Sequence, residues 1–230
     1  MQLVVANFKM NKDKKFYLSL KKLNNNKYKD TKIVLCPPFV YSSFVKIKNK
    51  MLFLGSQDIS QEKEGKATGQ ISANMLKEFG VKFAIIGHSE RRVFETNDDV
   101  NKKVKVALEN DIVPIVCVGE KAKGQDKSFI IEQVKSAICD TDKEVIFAYE
   151  PIWAIGTGLI PTKTDINKVS KLIKKTAKEQ KANVKVLYGG SVNESNISLL
   201  KTCDVDGFLV GGACLDIVKF EKIIRSVDNE

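Results

Sequence analysis

The sequence predicts an α/β fold, a single (β/α)8 barrel domain over residues 1–230 with eight parallel strands ringed by helices. Eight short aliphatic runs alternate with amphipathic helical segments, and no linker or low-complexity tract interrupts them. The runs are apolar throughout, which is typical of parallel strands buried on both faces. Eight strand–helix units in 230 residues also suit a barrel, whose usual length is about 250 residues.

The apolar pattern places each predicted element on the chain. The strands cover residues 3–6, 32–36, 51–56, 83–86, 112–117, 145–149, 185–188 and 207–210, and the clearest helical patterns cover 97–109, 126–138, 164–180 and 216–227. Thr164 or Asp165 is expected to cap the third of these helices and Asp216 to start the fourth, because their side-chain oxygens can accept from free N–H groups. A doubly wound open sheet is disfavoured, since the glycine-rich phosphate loop expected after its first strand is absent.

The balance of lysine and arginine in the sequence bears on whether the protein binds nucleic acid. Of 38 basic residues only Arg91, Arg92 and Arg225 are arginines, which leaves 35 lysines, and we interpret these as spread over helix surfaces. A nucleic-acid-binding protein would cluster its charge and use arginine at contacts, so no nucleic-acid partner is expected. A positive field would instead help to gather a small anionic substrate.

The remaining composition predicts a cytoplasmic protein without a membrane or metal partner. No apolar run reaches the roughly 18 residues of a membrane span, and no signal-peptide pattern is present. The chain has a single histidine and lacks a CxxC pair, which makes a zinc site improbable. Reduced, packed thiols are expected at all five cysteines: Cys36, Cys117, Cys139, Cys203 and Cys214.

Polar and glycine-rich segments follow five of the predicted strands and precede none of them. They cover residues 7–11, 87–92, 150–158, 189–191 and 211–213. The carboxyl ends of parallel barrel strands share one face, and that face carries the active sites of barrel enzymes. The five segments are therefore expected to converge on one site.

Glu150 is the candidate general base. It ends a strand and precedes Pro151, which favours an extended, rigid approach for its carboxylate. A glycine-bearing loop with the single tryptophan, Trp153, follows, and this layout is typical of a base beneath a mobile lid. The alternative is a buried ion-pair glutamate beside an ordinary loop.

The glycine pairs after the seventh and eighth strands predict a phosphate site. Gly189-Gly190-Ser191 and Gly211-Gly212 offer backbone N–H groups without a Cβ to block a ligand. A short helix beginning after Gly212 would add a favourable dipole, and barrels commonly bind phosphate at this corner. Each pair taken alone is also compatible with a tight turn.

The remaining candidates stand after the first and fourth strands. Lys9 could neutralise a phosphate or polarise an oxygen, and Asn7 lies on the same side of the extended chain. His88 precedes a helical turn whose N–H groups disfavour imidazolium, so a neutral ring could donate to a substrate oxygen. Glu90, Arg91 and Arg92 are expected to support the site through an ion-pair network. The simplest reaction for this set, with no cofactor, is proton transfer beside the carbonyl of a small phosphate ester.

Six segments also resemble the triosephosphate isomerase family, in family order and over essentially the whole chain: residues 7–11, 87–92, 117–120, 148–158, 188–192 and 210–213. The resemblance implies a cofactor-free isomerase of glycolysis and gluconeogenesis that interconverts dihydroxyacetone phosphate and glyceraldehyde 3-phosphate. This family is the usual illustration of a glutamate base, a neutral histidine and a closing loop, so those roles are carried over from it. The resemblance makes Glu150 the base, His88 the electrophile and Lys9 the cation, with Asn7 beside Lys9 and Glu90 in a supporting position. The residues that it implies at the phosphate are Gly156, Ser191, Gly211 and Gly212.

The resemblance further implies a homodimer that uses the loop from Gln57 to Ile71. The sequence also departs from the family pattern, at residues 66–70 of this loop, in the bulkier lid hinge at residues 158–161 and at three further places. Residues 93–96 form a segment about two residues shorter than usual, which leaves the ion pairing of Glu95 open. Phe8 replaces a tryptophan, and Cys214 stands where serine is common, as a candidate oxidation-sensitive thiol.

Two other functions are compatible with parts of this pattern. A Schiff-base aldolase would use Lys9 covalently, although such enzymes do not need the flap. A non-catalytic scaffold barrel would be expected to have lost the base, the histidine or the lysine, and all three are present.

Overall fold

The computed structural model describes residues 1–138 and 143–228 and contains a closed barrel of eight parallel strands. Each strand pairs with the next one along the chain, and the last pairs with the first. The strands are β1 (Gln2–Asn7), β2 (Thr31–Cys36), β3 (Leu52–Ser56), β4 (Val81–Ile86), β5 (Val113–Val118), β6 (Val145–Tyr149), β7 (Val184–Tyr188) and β8 (Gly207–Val210). All eight predicted strands are present, so the predicted fold class is confirmed. That the whole chain forms one domain stays a prediction.

Seven α-helices ring the barrel within the described residues. They are α1 (Lys14–Ser19), α2 (Ala73–Glu78), α3 (Asn97–Glu109), α4 (Ser128–Ala137), α5 (Lys163–Glu179), α6 (Ile197–Leu200) and α7 (Ile217–Val227). The connection from β2 to β3 carries a 3-10 helix, Phe39–Phe44, in place of an α-helix. It begins directly after Pro37 and Pro38.

The helix caps show one wrong prediction and one correct one. Neither Thr164 nor Asp165 caps α5, because the cap is Thr162, whose hydroxyl accepts from the backbone N–H of Asp165. Thr162 also donates to the Asp165 carboxylate at 2.7 Å, so the two residues cap the helix together. Asp216 caps α7 as predicted and accepts from the N–H groups of Val218 and Lys219.

The core has two layers because alternate strand residues point to opposite faces. One set fills the barrel interior, and the other packs beneath the helices. This burial on both faces explains the unbroken apolar runs. Four cysteines are free and buried, namely Cys36, Cys117, Cys203 and Cys214, whereas Cys139 lies outside the described residues. Among the described helices, none is both long and apolar enough to cross a membrane.

Candidate active site

A cavity of about 710 Å³ opens at the carboxyl ends of the strands. Eight sequence-predicted site residues line it: Asn7, Lys9, His88, Glu150, Gly156, Ser191, Gly211 and Gly212. Glu90 is not part of the lining but contacts it through Lys9. The segments that follow five different strands therefore meet around one space, as predicted.

Glu150 leaves the end of β6 in a tightly packed position. Its side chain is only 4% exposed, and its backbone N–H donates to the carbonyl of Val118 at 2.8 Å. A Cβ at Gly119 would collide with the carbonyl of Glu150, and one at Gly189 would lie 3.0 Å from its Cγ. Gly119 thus leaves space for the backbone of Glu150, and Gly189 leaves space for its side chain. The sequence does not reveal this role of Gly119, because the contact joins segments that follow different strands.

The carboxylate of Glu150 faces the ring of His88. Its Oε1 lies 3.2 Å from the His88 Nε2, and its Oε2 accepts from the N–H of Ser89 at 3.4 Å. Burial acts to lower the pKa of His88, but the charge and hydrogen bond of Glu150 outweigh it, so that pKa lies above its ordinary value. Here the carboxylate and ring form one hydrogen-bonded pair.

The other nitrogen of His88 is an acceptor. The backbone N–H of Glu90 donates to Nδ1 at 3.2 Å, so the ring proton resides on Nε2, where it can donate to Glu150. Glu150 raises the pKa of His88, but an imidazolium would need a second proton on Nδ1, where the N–H of Glu90 already donates. We therefore assign the neutral tautomer on this geometry. A substrate oxygen placed between ring and carboxylate would receive the same Nε2 proton.

Lys9 adopts a backbone conformation that is uncommon outside glycine, with φ of 50°. Its N–H donates to Asn7 Oδ1 at 3.0 Å, and its carbonyl accepts from Gln57 Nε2 at 2.9 Å. Its ammonium lies 2.7 Å from Glu90 Oε1, and although burial acts to raise the pKa of Glu90, this hydrogen bond lowers it overall. Contacts from three segments hold the strained residue at the mouth of the cavity.

Arg92 and Cys117 lie beneath the base. Arg92 was expected in a supporting ion-pair network, but its hydrogen bonds to this region go to a backbone carbonyl. Arg92 donates through Nε and Nη2 to the carbonyl of Cys117, at 3.2 and 3.1 Å. Burial, and secondly the charge of Glu150, raise the pKa of the Cys117 thiol well above its ordinary value. The thiol therefore stays protonated beside the carboxylate. No spacing in the sequence reveals this, because the three residues come from different units of the barrel.

The loop after Glu150 is tied down at its start by Glu120. This carboxylate is 2% exposed and its Oε1 accepts from Trp153 Nε1 at 3.1 Å and from the Tyr149 hydroxyl at 3.0 Å. Further along, Gly156 and Gly158 have φ of 73° and 78°, and both line the cavity. The loop is therefore anchored at its start and follows a glycine-dependent path above the cavity.

The corner after β7 and β8 is open to a ligand. A Cβ added at Gly212 would meet nothing within 4 Å, and one at Gly211 would meet Lys9 Cε at 3.8 Å. A short 3-10 helix, Gly212–Leu215, begins here, as predicted. Ser191 reaches across from the β7 side and donates to the carbonyl of Ala154 in the loop at 3.1 Å.

Comparison with known proteins agrees with this geometry. The profile of the protein family described as Triosephosphate isomerase matches residues 2–227. The chain belongs to the triosephosphate isomerase family. Proteins named triosephosphate isomerase from Dictyoglomus turgidum and Mesomycoplasma hyorhinis are 42% and 43% identical to it, over 98% and 96% of this chain and 99% and 97% of theirs. One from Thermoanaerobacter sp. strain X514 is 45% identical over 86% of this chain and 88% of its own.

Two departures from the triosephosphate isomerase pattern can now be located in the structure. Beside the shortened segment, Glu95 pairs through one oxygen only: its Oε1 lies 2.9 Å from Arg91 Nε and 2.8 Å from Lys103 Nζ, whereas its buried Oε2 has no hydrogen-bond partner among the described residues. Asp58, from the loop after β3, forms ion pairs with the same two residues, Arg91 and Lys103. Cys214 is buried, and burial raises the pKa of its thiol. Because an oxidation-sensitive cysteine is an accessible thiolate, the structure argues against that interpretation of Cys214.

Proposed function

We propose that this chain interconverts dihydroxyacetone phosphate and glyceraldehyde 3-phosphate by proton transfer through an enediolate. The observation that carries the proposal is the buried pair of Glu150 and His88, 3.2 Å apart, inside a cavity bounded by two glycine-rich corners. Relatives named triosephosphate isomerase support it at about two-fifths identity over nearly the whole chain.

Glu150 is the proposed general base. It would remove a proton from the substrate carbon next to the carbonyl and return it to the neighbouring carbon, so that no net proton is exchanged. The neutral ring of His88 would donate its Nε2 proton toward the developing oxyanion, and Lys9 would stabilise the same charge. Asn7 would act by holding the backbone of Lys9.

The phosphate is proposed to bind at the corner of Gly211 and Gly212, with Ser191 and Gly156 completing the site after the loop closes. Unblocked N–H groups at this corner suit an anion. Ser191 now donates to the loop at Ala154, so closure would exchange that bond for a ligand contact. Closure would also exclude water from the enediolate, which protects it from elimination of phosphate.

A homodimer and a cytoplasmic location are further proposals, in line with the family. Met10 and Phe94 lie at the carboxyl-end face and are 94% and 81% exposed, so a dimer interface at this face would cover two large apolar side chains. Phe94 also lines a hollow of about 410 Å³ together with residues of the loop from Gln57 to Ile71. Sedimentation equilibrium would test the dimer, and a concentration-independent mass of one chain would exclude it.

The test of the reaction compares wild type with Glu150→Gln in a coupled assay of glyceraldehyde 3-phosphate isomerisation. Loss of the base should lower kcat by at least about 10²–10⁴-fold, with the dimer and the circular dichroism unchanged. Full activity in the variant would place the base elsewhere. A folded but inactive wild type would favour the scaffold barrel, and borohydride trapping of substrate on Lys9 would favour the aldolase.

A further inference from the structure

A second surface lies at the amino ends of β3 and β4, on the opposite end of the barrel from the cavity. Here a shallow groove of about 410 Å³ runs between the segment before β3 and the start of β4. Ile47, Phe53 and Phe79 contribute apolar surface to it, and Phe79 is 43% exposed. Lys46, Lys48 and Lys82 line the same groove, and no carboxylate does.

The groove belongs to the most basic part of the chain. Residues 1–50 contain twelve lysines and two aspartates, a net charge of +10 that equals the net charge of the whole protein. Residues 51–230 are therefore neutral in sum: lysines occur along the whole chain, but the acidic residues that balance them are nearly absent from residues 1–50. The lysines of residues 1–50 are not all at the groove, since Lys9 and Lys12 line the cavity at the other end. At the groove itself, Lys46, Lys48 and Lys82 form a positive surface without a carboxylate in its lining, and such a surface attracts acidic partners.

One side chain fixes the geometry of the lysine segment. Asn24 Nδ2 donates to the carbonyl of Lys46 at 2.7 Å, and Asn24 Oδ1 accepts from the N–H groups of Lys48 at 2.7 Å and Asn49 at 3.1 Å. The backbone that carries the two lysines is thus held from outside the segment. A preformed surface loses less conformational entropy when a partner binds.

The two lysines are spaced like side chains on an extended strand. Lys46 and Lys48 are exposed, whereas Ile47 between them is half-buried against the core, and Val45 before them has extended dihedrals. Side chains at i and i+2 of an extended segment point the same way, about 6.6 Å apart. Carboxylates on alternate residues of an extended peptide have the same spacing.

We propose that this groove binds an extended acidic peptide segment, with carboxylates on alternate residues facing Lys46 and Lys48 and an apolar side chain in the groove. The segment 45–49 supplies the charges, and Phe79 and Phe53 supply the apolar contact. A phosphate polymer would contact the lysines but not the apolar side chains of the groove. A peptide that carries both carboxylates and an apolar side chain would contact both.

Neither Asp111 nor Glu78, the carboxylates beside Lys82 and Phe79, neutralises the groove. Asp111 faces Lys82, but it is already paired with Lys143 at 2.8 Å, and the hydrogen bond from that lysine keeps the pKa of Asp111 below its ordinary value. Glu78 precedes Phe79 in α2 and does not line the groove. Lys46 and Lys48 have no carboxylate within ion-pair distance among the described residues.

The test uses fluorescence anisotropy with a labelled eight-residue peptide that carries two glutamates at alternate positions and one leucine. The double variant Lys46→Glu/Lys48→Glu should weaken binding at least about tenfold, since two attractive pairs become repulsive. The matched control is Lys171→Glu/Lys175→Glu on α5, where both lysines are equally exposed and the change in net charge is identical. The control should bind within about twofold of wild type, and isomerase activity of all three proteins reports correct folding.

Two further probes separate this site from general attraction to anions. A peptide of the same composition with adjacent glutamates, and one with serine in place of leucine, should each bind more weakly than the first. Equal weakening by both double variants would overturn the proposal, as would equal affinity for all three peptides. Tighter, Lys46- and Lys48-dependent binding of poly-uridine or phosphatidylserine vesicles would overturn it in favour of a polyanion or membrane surface.

Discussion

The two ends of the barrel both contain residues other than glycine with left-handed backbones, but for different reasons. Of the four such residues in the described ranges, Lys9 and Lys12 lie at the mouth of the cavity, whereas Asp111 and Lys181 lie at the opposite end, before β5 and β7. An L-residue pays roughly 1–2 kcal/mol for this conformation. What compensates for that cost differs between the two ends.

At the amino end, the left-handed residues terminate helices. Lys181 follows α5, its N–H donates to the carbonyl of Lys178 at 2.9 Å, and the N–H of Ala182 donates to Ala177 at 3.0 Å. Asp111 stands at the corresponding position after α3, with the same two bonds. This is the Schellman pattern, in which glycine is usually preferred. The conformation is set by local backbone bonds, and the side chain is incidental.

At the mouth, long-range contacts hold Lys9. Gln57 Nε2 donates to both the carbonyl of Lys9 and that of Cys36, at 2.9 Å each, and Glu90 holds the ammonium. No helix ends there. The left-handed conformation therefore ends a helix at the amino end of the barrel, whereas at the mouth it places the charge of Lys9. The same substitution at the two lysines should therefore have opposite consequences.

The largest expected effect is on activity at the mouth. Lys9→Gly relieves the backbone but removes the ammonium, and loss of one group that stabilises transition-state charge costs about 10²–10³ in kcat. Steady-state kinetics of the coupled assay measure the loss, and Lys9→Met, which keeps the strained backbone, should lose as much. If Lys9→Gly retained activity that Lys9→Met lacks, backbone strain rather than charge would limit the reaction.

A smaller effect, on stability alone, is expected for Asp228 at the amino end. Its carboxylate is buried and accepts from the N–H groups of Lys29 at 2.8 Å and Asp30 at 2.9 Å. Burial acts to raise the pKa of Asp228, but these donors outweigh it and the pKa is lowered. Asp228→Asn should therefore reduce the free energy of unfolding by about 1–3 kcal/mol at pH 7, without changing kcat.

The sign of the pH dependence follows from the lowered pKa of Asp228. The contribution is fully present above the unfolded-state pKa of about 3.9 and is lost as pH falls through the folded-state value. In urea titrations, the stability gap between wild type and Asp228→Asn should narrow below about pH 4. If the difference in unfolding free energy stayed constant from pH 7 to pH 3, the packing of the Asp228 side chain, and not its charge, would account for its contribution.

The comparison also shows how far the sequence could predict the structure. The strands were predictable because both of their faces are buried, and the cavity residues because strand ends meet on one face of a barrel. The cap of α5 was misplaced, although Thr162 and Asp165 carry the Thr-x-x-Asp spacing of a capping pair. The space that Gly119 leaves for Glu150 could not be predicted, since it joins strands that are distant in the sequence.

The smallest effect tests the amino end with the substitution used at the mouth. Lys181→Gly removes the left-handed penalty at an exposed helix terminus, partly offset by the greater entropy of unfolded glycine, and should raise the free energy of unfolding by about 0.5–1 kcal/mol. Thermal and urea unfolding measure the gain, with Lys181→Ala as the control that removes the side chain but keeps the penalty. If Lys181→Ala stabilised the protein as much as Lys181→Gly, the gain would come from removing repulsion between lysines and not from relieving backbone strain. Charge would then explain the effects of both Lys181 and Lys9.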